Sequence, residues 1–220
     1  MFLVLPNGDY SSISATQATG CTTVGDGNIM ANGTNLQGSL KVVFDSADVG
    51  ALQTAGCVFS DGSPDATGFI NGALSQGSGI NLMAFLTTEN GTLLPTLTLN
   101  LPLSPLYAKP GPLSRLQGTY QVRQNEVLTI DANGVATLTG SPFGCTVNEL
   151  YSQVGDGSHN IYTSSATYSG CASPDDVLNG QTVTGTFTLD DTVTPVQLIG
   201  VEMYIMAKDT YFIHFVGTKQ

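Results

Sequence analysis

The chain has 220 residues, 41% hydrophobic and only 10% charged, and its 17 Asp+Glu against 6 Lys+Arg give a net charge of -11. That balance repels nucleic acid and anionic membrane faces alike, so neither is an expected partner. The apolar content suffices for a packed core, which excludes a disordered chain despite 26 glycines, and the scarcity of charge leaves solubility to hydroxyls and amides, as on many exported proteins.

The first six residues, Met-Phe-Leu-Val-Leu-Pro, are too short for the apolar region of a signal peptide and lack a basic start and a cleavage site. They read as a short first strand, or as an initiator methionine joined to a mature segment. Nowhere do about eighteen apolar residues run together, so no transmembrane helix is expected. Attachment to a membrane would need a removed or unseen N-terminal lipid anchor.

Gly8-Asp9-Tyr10 opens a unit that is written again from Gly118-Thr119-Tyr120. In each copy a polar strand leads to a tight turn, Asp26-Gly27 and then Asn133-Gly134, followed by the related runs 28–33 and 135–140. In the first copy, residues 45–54 are the best candidate for a short helix. Gly56-Cys57 leads into the loop Asp61-Gly62-Ser63-Pro64-Asp65, answered later by Gly170-Cys171 and Ser173-Pro174-Asp175-Asp176. Apolar strands at 80–86 and 93–101 close this copy. A stretch with prolines at 102, 105, 110 and 112 then reads as a stiff, extended linker whose Leu and Tyr side chains pack on one neighbour.

The second copy reads as eight strands, at 118–123, 127–131, 135–140, 144–150, 160–169, 182–190, 196–206 and 210–217. They are rich in Val, Thr, Ile, Tyr and Phe, and Asn-Gly turns at 133–134 and 179–180 punctuate them. Residues 182–189 alternate polar with apolar or small, the mark of a strand with one wet face. The predicted architecture is therefore all-β: two tandem antiparallel meander domains, barrel-like with about eight strands each, or sandwich-like. Residues 1–101 form the first domain, 102–116 the linker and 117–220 the second. The competing reading is one large all-β domain with chance internal echoes.

Cys21, Cys57, Cys145 and Cys171 each follow a glycine and lack metal-ligand spacing. Three disulfide connectivities are open on paper. If the halves fold independently, Cys21 pairs with Cys57 and Cys145 with Cys171, the neighbouring glycines allowing a second strand to approach. The two bridges would then sit at non-equivalent places in the copies. The alternative is four buried thiols in a reducing cytosol.

The order Gly-x-Tyr, a strand ending Thr-Gly-Ser, Gly-Cys, Asn160-Ile161-Tyr162, Ser-Gly-Cys and a Gly-x-x-Thr-Gly strand resembles a small β domain of uncharacterised exported lipoproteins of Gram-negative bacteria. The likeness covers 118–219 well and 8–101 loosely. It implies a β fold and an envelope location, periplasmic or on the outer surface, and it carries no set of catalytic residues.

No nucleophile elbow, zinc-protease helix, phosphate loop or dinucleotide fingerprint is present. His159 sits in a turn and reads as a solvated loop residue. His214, among aromatics on the last strand, reads as satisfied within the domain, with a pocket-lining role as the alternative. Asp175-Asp176 and Asp190-Asp191 are adjacent pairs that point to opposite faces if on strands, so neither presents two carboxylates to one substrate. The 61–65 loop is a possible calcium site, against plain turn chemistry. The chemistry therefore predicts no catalytic, metal or cofactor residues. It favours a non-enzymatic exported envelope or cell-surface module that binds a protein, glycan or small apolar ligand or serves as an assembly part. The alternatives are a pilus-type subunit donating residues 2–5 as a strand, and a hydrolase that gathers carboxylates of raised pKa.

Overall fold

The computed structural model describes residues 2–5, 7–15, 21–44, 57–75, 79–123, 125–140, 144–172, 178–206 and 209–220, with side chains at all of these except 13–15, 203–206 and 209–214. These residues are almost entirely strand and separate between Ser104 and Pro105 into two compact units. The helix expected at 45–54 lies outside the described residues.

The first unit is a meander of β1 (Phe2–Val4), β2 (Asp9–Ala15), β3 (Thr22–Asn32), β4 (Asn35–Phe44), β5 (Asp65–Ser75), β6 (Gly79–Thr88) and β7 (Leu97–Pro102), each antiparallel to the next. Asp26-Gly27, expected to be a turn, lies in the middle of β3, where Gly27 faces Tyr10 on one side and Leu40 on the other. The turn falls six residues later, at Gly33 with φ +63°. Gly27 is there for room. A Cβ on it would overlap the Ser39 carbonyl and press on the Tyr10 ring.

Gly38, Gly68 and Gly72 repeat the theme: a Cβ at each would run into the carbonyl of Asn28, Phe85 or Asn81 on the adjoining strand. Glycines at such close approaches let a sheet bend sharply, and this one curls round its own core. Tyr10, Ile29, Leu40, Ile70, Leu82 and Leu86 form that core, with Phe2 and Val4 of β1 and Leu99 and Leu101 of β7 resting on it. Burial of each large side chain contributes roughly 1.5–3 kcal/mol.

The second unit is a closed barrel of eight strands. They are β8 (Gly118–Arg123), β9 (Glu126–Ile130), β10 (Val135–Thr139), β11 (Thr146–Gln153), β12 (Tyr162–Ser169), β13 (Thr182–Asp190), β14 (Gln197–Met206) and β15 (Asp209–Lys219). Closure comes from β15 pairing with β8, Thr218 opposite Gln121 and Lys219 opposite Tyr120. The protein is thus all-β with two antiparallel meanders, but the expectation of about eight strands each holds for the second unit alone. The first has seven, and among the described residues its edges β1 and β7 do not meet.

Period-two patterning sets the barrel's faces. Along β11, Val147, Glu149 and Tyr151 are buried while Thr146, Asn148 and Leu150 are exposed. Outward positions of β12 and β13 carry the hydroxyls of Ser165, Thr167, Thr182 and Thr184. Inside, Gly185 and Gly200 leave space that the Phe187 ring fills, since a Cβ on either would overlap it. Phe187 meets Tyr151 and Phe215 edge to face, with ring centroids 5.1 and 5.5 Å away. One end is stopped by the 3-10 turn Leu113–Leu116, where Leu116 is fully buried and its carbonyl accepts the Tyr120 hydroxyl at 2.8 Å.

Disulfides join Cys21 to Cys57 and Cys145 to Cys171, each within one unit. The second staples the base of the β11–β12 hairpin, beside the pair Thr146 and Ser169, whereas the first ties the start of β3 to the connection between β4 and β5, so the two bridges are not equivalent in the two units. Gly144 and Gly170 precede their cysteines with φ +59° and +66° and nothing within 4 Å of a Cβ position. Their glycine answers a backbone conformation rather than the close approach expected. No described cysteine is free, which fits an oxidising compartment outside the cytosol. No helix among the described residues is long and apolar enough to cross a membrane.

Candidate functional site

The residues singled out by motif turn out to hold loops in place. His159 stacks on Tyr107 with centroids 4.3 Å apart, and its Nδ1 lies 3.3 Å from the Tyr107 carbonyl oxygen. Close by, the Gly111 amide donates to the Gly157 carbonyl at 2.8 Å. The expected solvated histidine is instead a clamp on the segment after Pro105. Asp191 takes the same segment from another side, through ion pairs with Lys109 and, at 2.7 Å, Arg115. Its neighbour Asp190 caps a turn by accepting from the Thr192 amide and hydroxyl. Asp175 and Asp176 lie outside the described residues. His214 stands opposite Val201 in the register, and its side chain lies outside the described set.

The candidate calcium loop is likewise occupied by its own hydrogen bonds. The Asp61 carboxylate accepts from the Thr88 hydroxyl and from the Ser63 amide, and the Asp61 carbonyl accepts from Asn90 at 3.3 Å. The Thr88 hydroxyl, first among these donors, holds the Asp61 carboxyl well below the usual range. Asp65 faces Lys41 at 3.9 Å. Among the described residues no three His, Cys, Asp or Glu side chains come together as metal ligands.

The chemistry that does gather lies inside the barrel, on residues that no motif marks. Glu126 at the start of β9, Glu149 in the middle of β11 and Glu202 on β14 all occupy buried positions. The register links them. Tyr151, Ser164, Gly185 and Glu202 form one transverse row through β11 to β14, and Glu149 precedes Tyr151 by two residues on the same face. Burial pushes the Glu149 carboxyl up to about 7, against the pull of the Ser164 and Tyr151 hydroxyls beside it. Burial and then the Glu149 charge hold Glu202 well above the usual carboxylate range. Glu126 is raised by burial too, with Arg123 opposing from 3.8 Å at the rim.

Polar atoms here are left unpaired. Glu149 Oε1, Glu126 Oε1, the Tyr151 and Tyr162 hydroxyls and Ser164 Oγ are buried with no hydrogen bond of full geometry, the Tyr151 and Ser164 hydroxyls lying near enough to Glu149 to favour its charge without closing a proper bond to it. Tyr151 is 1% exposed and Ser164 6%. Each such orphan costs about 1–3 kcal/mol, so a cluster of them in a closed barrel is an expense that packing alone does not require. The contrast with Asn160 is instructive: fully buried at the plugged end, it donates to the Leu189 carbonyl at 2.7 Å, and its own carbonyl accepts from Thr188 at 2.8 Å.

Sequence reading found no gathering of carboxylates, yet a signal existed. In Val147-Asn148-Glu149-Leu150-Tyr151 the alternation puts a glutamate on the apolar face, and Glu126 with Leu128 and Ile130 does the same. With Glu202 buried on β14 the unit holds three such glutamates, and together they mark a site. No known protein family, curated protein or solved structure matches the chain.

Proposed function

We propose that the protein is a non-enzymatic module exported to the periplasm or outer surface of a Gram-negative bacterium, and that its second unit binds a small ligand inside the barrel. The observation that carries this reading is the set of unpaired buried oxygens on Glu149, Tyr151 and Ser164, which a ligand would satisfy. Two intra-unit disulfides and a hydroxyl-rich exterior support export, and the likeness to envelope lipoprotein domains supports the bacterial setting and an N-terminal lipid anchor. The hydrolase reading is weaker. An acid–base pair needs one carboxyl kept ionised beside one kept protonated, whereas burial pushes Glu126, Glu149 and Glu202 all in the same direction.

Native mass spectrometry of the full chain, exposed to a mixed set of small alcohols, amines and sugars, tests the proposal. A bound mass on the wild type that disappears in Ser164→Leu, which fills the space beside Tyr151 and Gly185, is the expected result. A bare wild-type mass with every probe overturns it. Strand addition is the second reading, favoured because β1 and β7 each pair on one side only among the described residues. Residues 2–4, however, already pair with β2, Phe2 opposite Ser12 and Val4 opposite Tyr10, so the donor segment is engaged within its own chain.

A further inference from the structure

We infer that the ligand of the second unit is a small aliphatic ammonium compound, its nitrogen seated among Glu149, Tyr151, Ser164 and Glu202. This rests on the proposed lumen site and adds the chemical class of what fills it. The orphaned oxygens of Glu149, Tyr151 and Ser164 share one property: all can accept. An ammonium group brings three donors and no acceptor, so one nitrogen answers several of them at once.

The charge balance of the interior points the same way. Among the described residues three glutamates stand around the row, on β9, β11 and β14, against Arg123 of β8, which lies 3.8 Å from Glu126 at the rim and also draws on Glu202, less strongly than burial and the Glu149 charge oppose it. The other titratable groups described around the row are tyrosines, Tyr120 of β8 and Tyr162 and Tyr168 of β12 beside Tyr151 itself, with Arg115 of the end turn acting on Tyr120 and Tyr162; the side chains at 203–206 and 209–214 lie outside the described set. The described inward side chains of β10 and β13 carry no charge, Ala136 and Leu138 on one and Val183 and Phe187 on the other. A neutral guest would leave Glu149 and Glu202 to be kept protonated by burial alone, while a cation compensates them. The Phe187 and Tyr151 rings, in edge contact, form an apolar floor suited to a short alkyl chain, with a face for the charge.

Deprotonation of Glu149 is needed for the ion pair, so affinity follows its titration. The probes are n-butylamine and its neutral isostere 1-butanol, measured by titration calorimetry on the full chain at pH 5.5 and 8. Butylamine is expected to bind at least about tenfold more tightly at pH 8, since Glu149 is mostly protonated at pH 5.5, and its binding at pH 5.5 should release close to one proton. Glu149→Gln and Glu202→Gln should each weaken it at least tenfold, and Tyr151→Phe several-fold. If one glutamine variant fails to fold, the other and Tyr151→Phe decide. Equal binding of 1-butanol, or amine affinity that does not fall at pH 5.5, overturns the ammonium assignment and leaves the lumen site standing. So does a mass bound in a Ser164-dependent way that is not an amine. Absence of every bound probe overturns both.

Discussion

Both units are antiparallel meanders with glycines on their inward rows, yet the glycines do different work. In the first unit a Cβ at Gly27, Gly38, Gly68 or Gly72 would strike a backbone carbonyl of the next strand. There the missing side chain lets backbones approach, and the sheet curls. In the second, the atoms nearest a Cβ on Gly185 belong to side chains, Phe187 and Ser164. There it makes room for a ring. Backbone cannot give way without breaking the ladder, whereas a ring can be exchanged for a smaller group, so glycine is rigidly required at those four positions and negotiable at Gly185.

The largest expected effect breaks this comparison open. Gly68→Ala places a methyl against the Phe85 carbonyl and should cost more than about 4 kcal/mol, with no rescue from changes to nearby side chains. Gly185→Ala should destabilise as well, but Phe187→Leu in the same chain should recover much of the loss, because the tightest clash is with the ring and the other is with the small Ser164 hydroxyl. Denaturant midpoints for the two single variants and the double variant decide it. Rescue of neither, or destabilisation by neither, would remove the distinction.

Disulfide removal should have the next largest effect and should fall on one unit at a time. Replacing both cysteines of a bridge with alanine is expected to cost roughly 3–4 kcal/mol, the 36-residue separation of Cys21 and Cys57 slightly more than the 26 of Cys145 and Cys171. Limited proteolysis should then cut the unit that lost its bridge and spare the other. Cleavage in both units after a single bridge is removed would show that the two do not fold independently.

Acid and base should separate the units further. In the folded barrel Glu149 ionises near 7, against 4.5 for a free glutamate, so as pH rises the unfolded chain gives up this proton first. The stability held by the protonated, buried group is complete below about pH 4.5, declines through the interval and is gone above 7, a loss of roughly 3 kcal/mol. Asp61 in the first unit runs the opposite way: its lowered pKa stabilises above the ordinary aspartate value of 3.8 and is lost as pH falls further. Chemical denaturation followed by probes in each unit should show the barrel weakening from pH 5 to 8, with a shallower slope in Glu149→Gln. A flat profile in the wild type would mean that Glu149 is solvated.

Much of the barrel was legible because its signals are local. All eight strands fall where β-branched and aromatic residues alternate between turn residues, and Asn179-Gly180 is a turn in which Asn179 also binds both backbone groups of Cys171. The first unit misled at Asp26-Gly27, since a turn dipeptide and a glycine placed for strand proximity look alike until the neighbouring strand is known. The site was missed for a related reason. Glu126, Glu149 and Glu202 are spread over 77 positions, and only the successive pairing of β9 through β14 and their curling into the barrel bring them together. A motif search sees sequence distance; alternation sees the face, and it was the face that carried the information.

The smallest effect concerns the stretch taken for a linker. Stacking of Tyr107 on His159 and the pairing of Asp191 with Lys109 and Arg115 fasten residues 107–115 to the barrel end that Leu116 stops. These ion pairs are partly exposed, and such pairs contribute about 1 kcal/mol or less, so Asp191→Asn should barely move the global midpoint. Its effect should be local: faster hydrogen exchange at the Gly111 amide, which bonds to Gly157, than at the strand amides of β12 and β13. Tyr107→Ala should add to it, because the stack and the ion pairs hold different points of the same segment. Uniform acceleration throughout the barrel would instead mean that the segment belongs to the barrel's cooperative core, with Leu116 rather than Asp191 setting its stability.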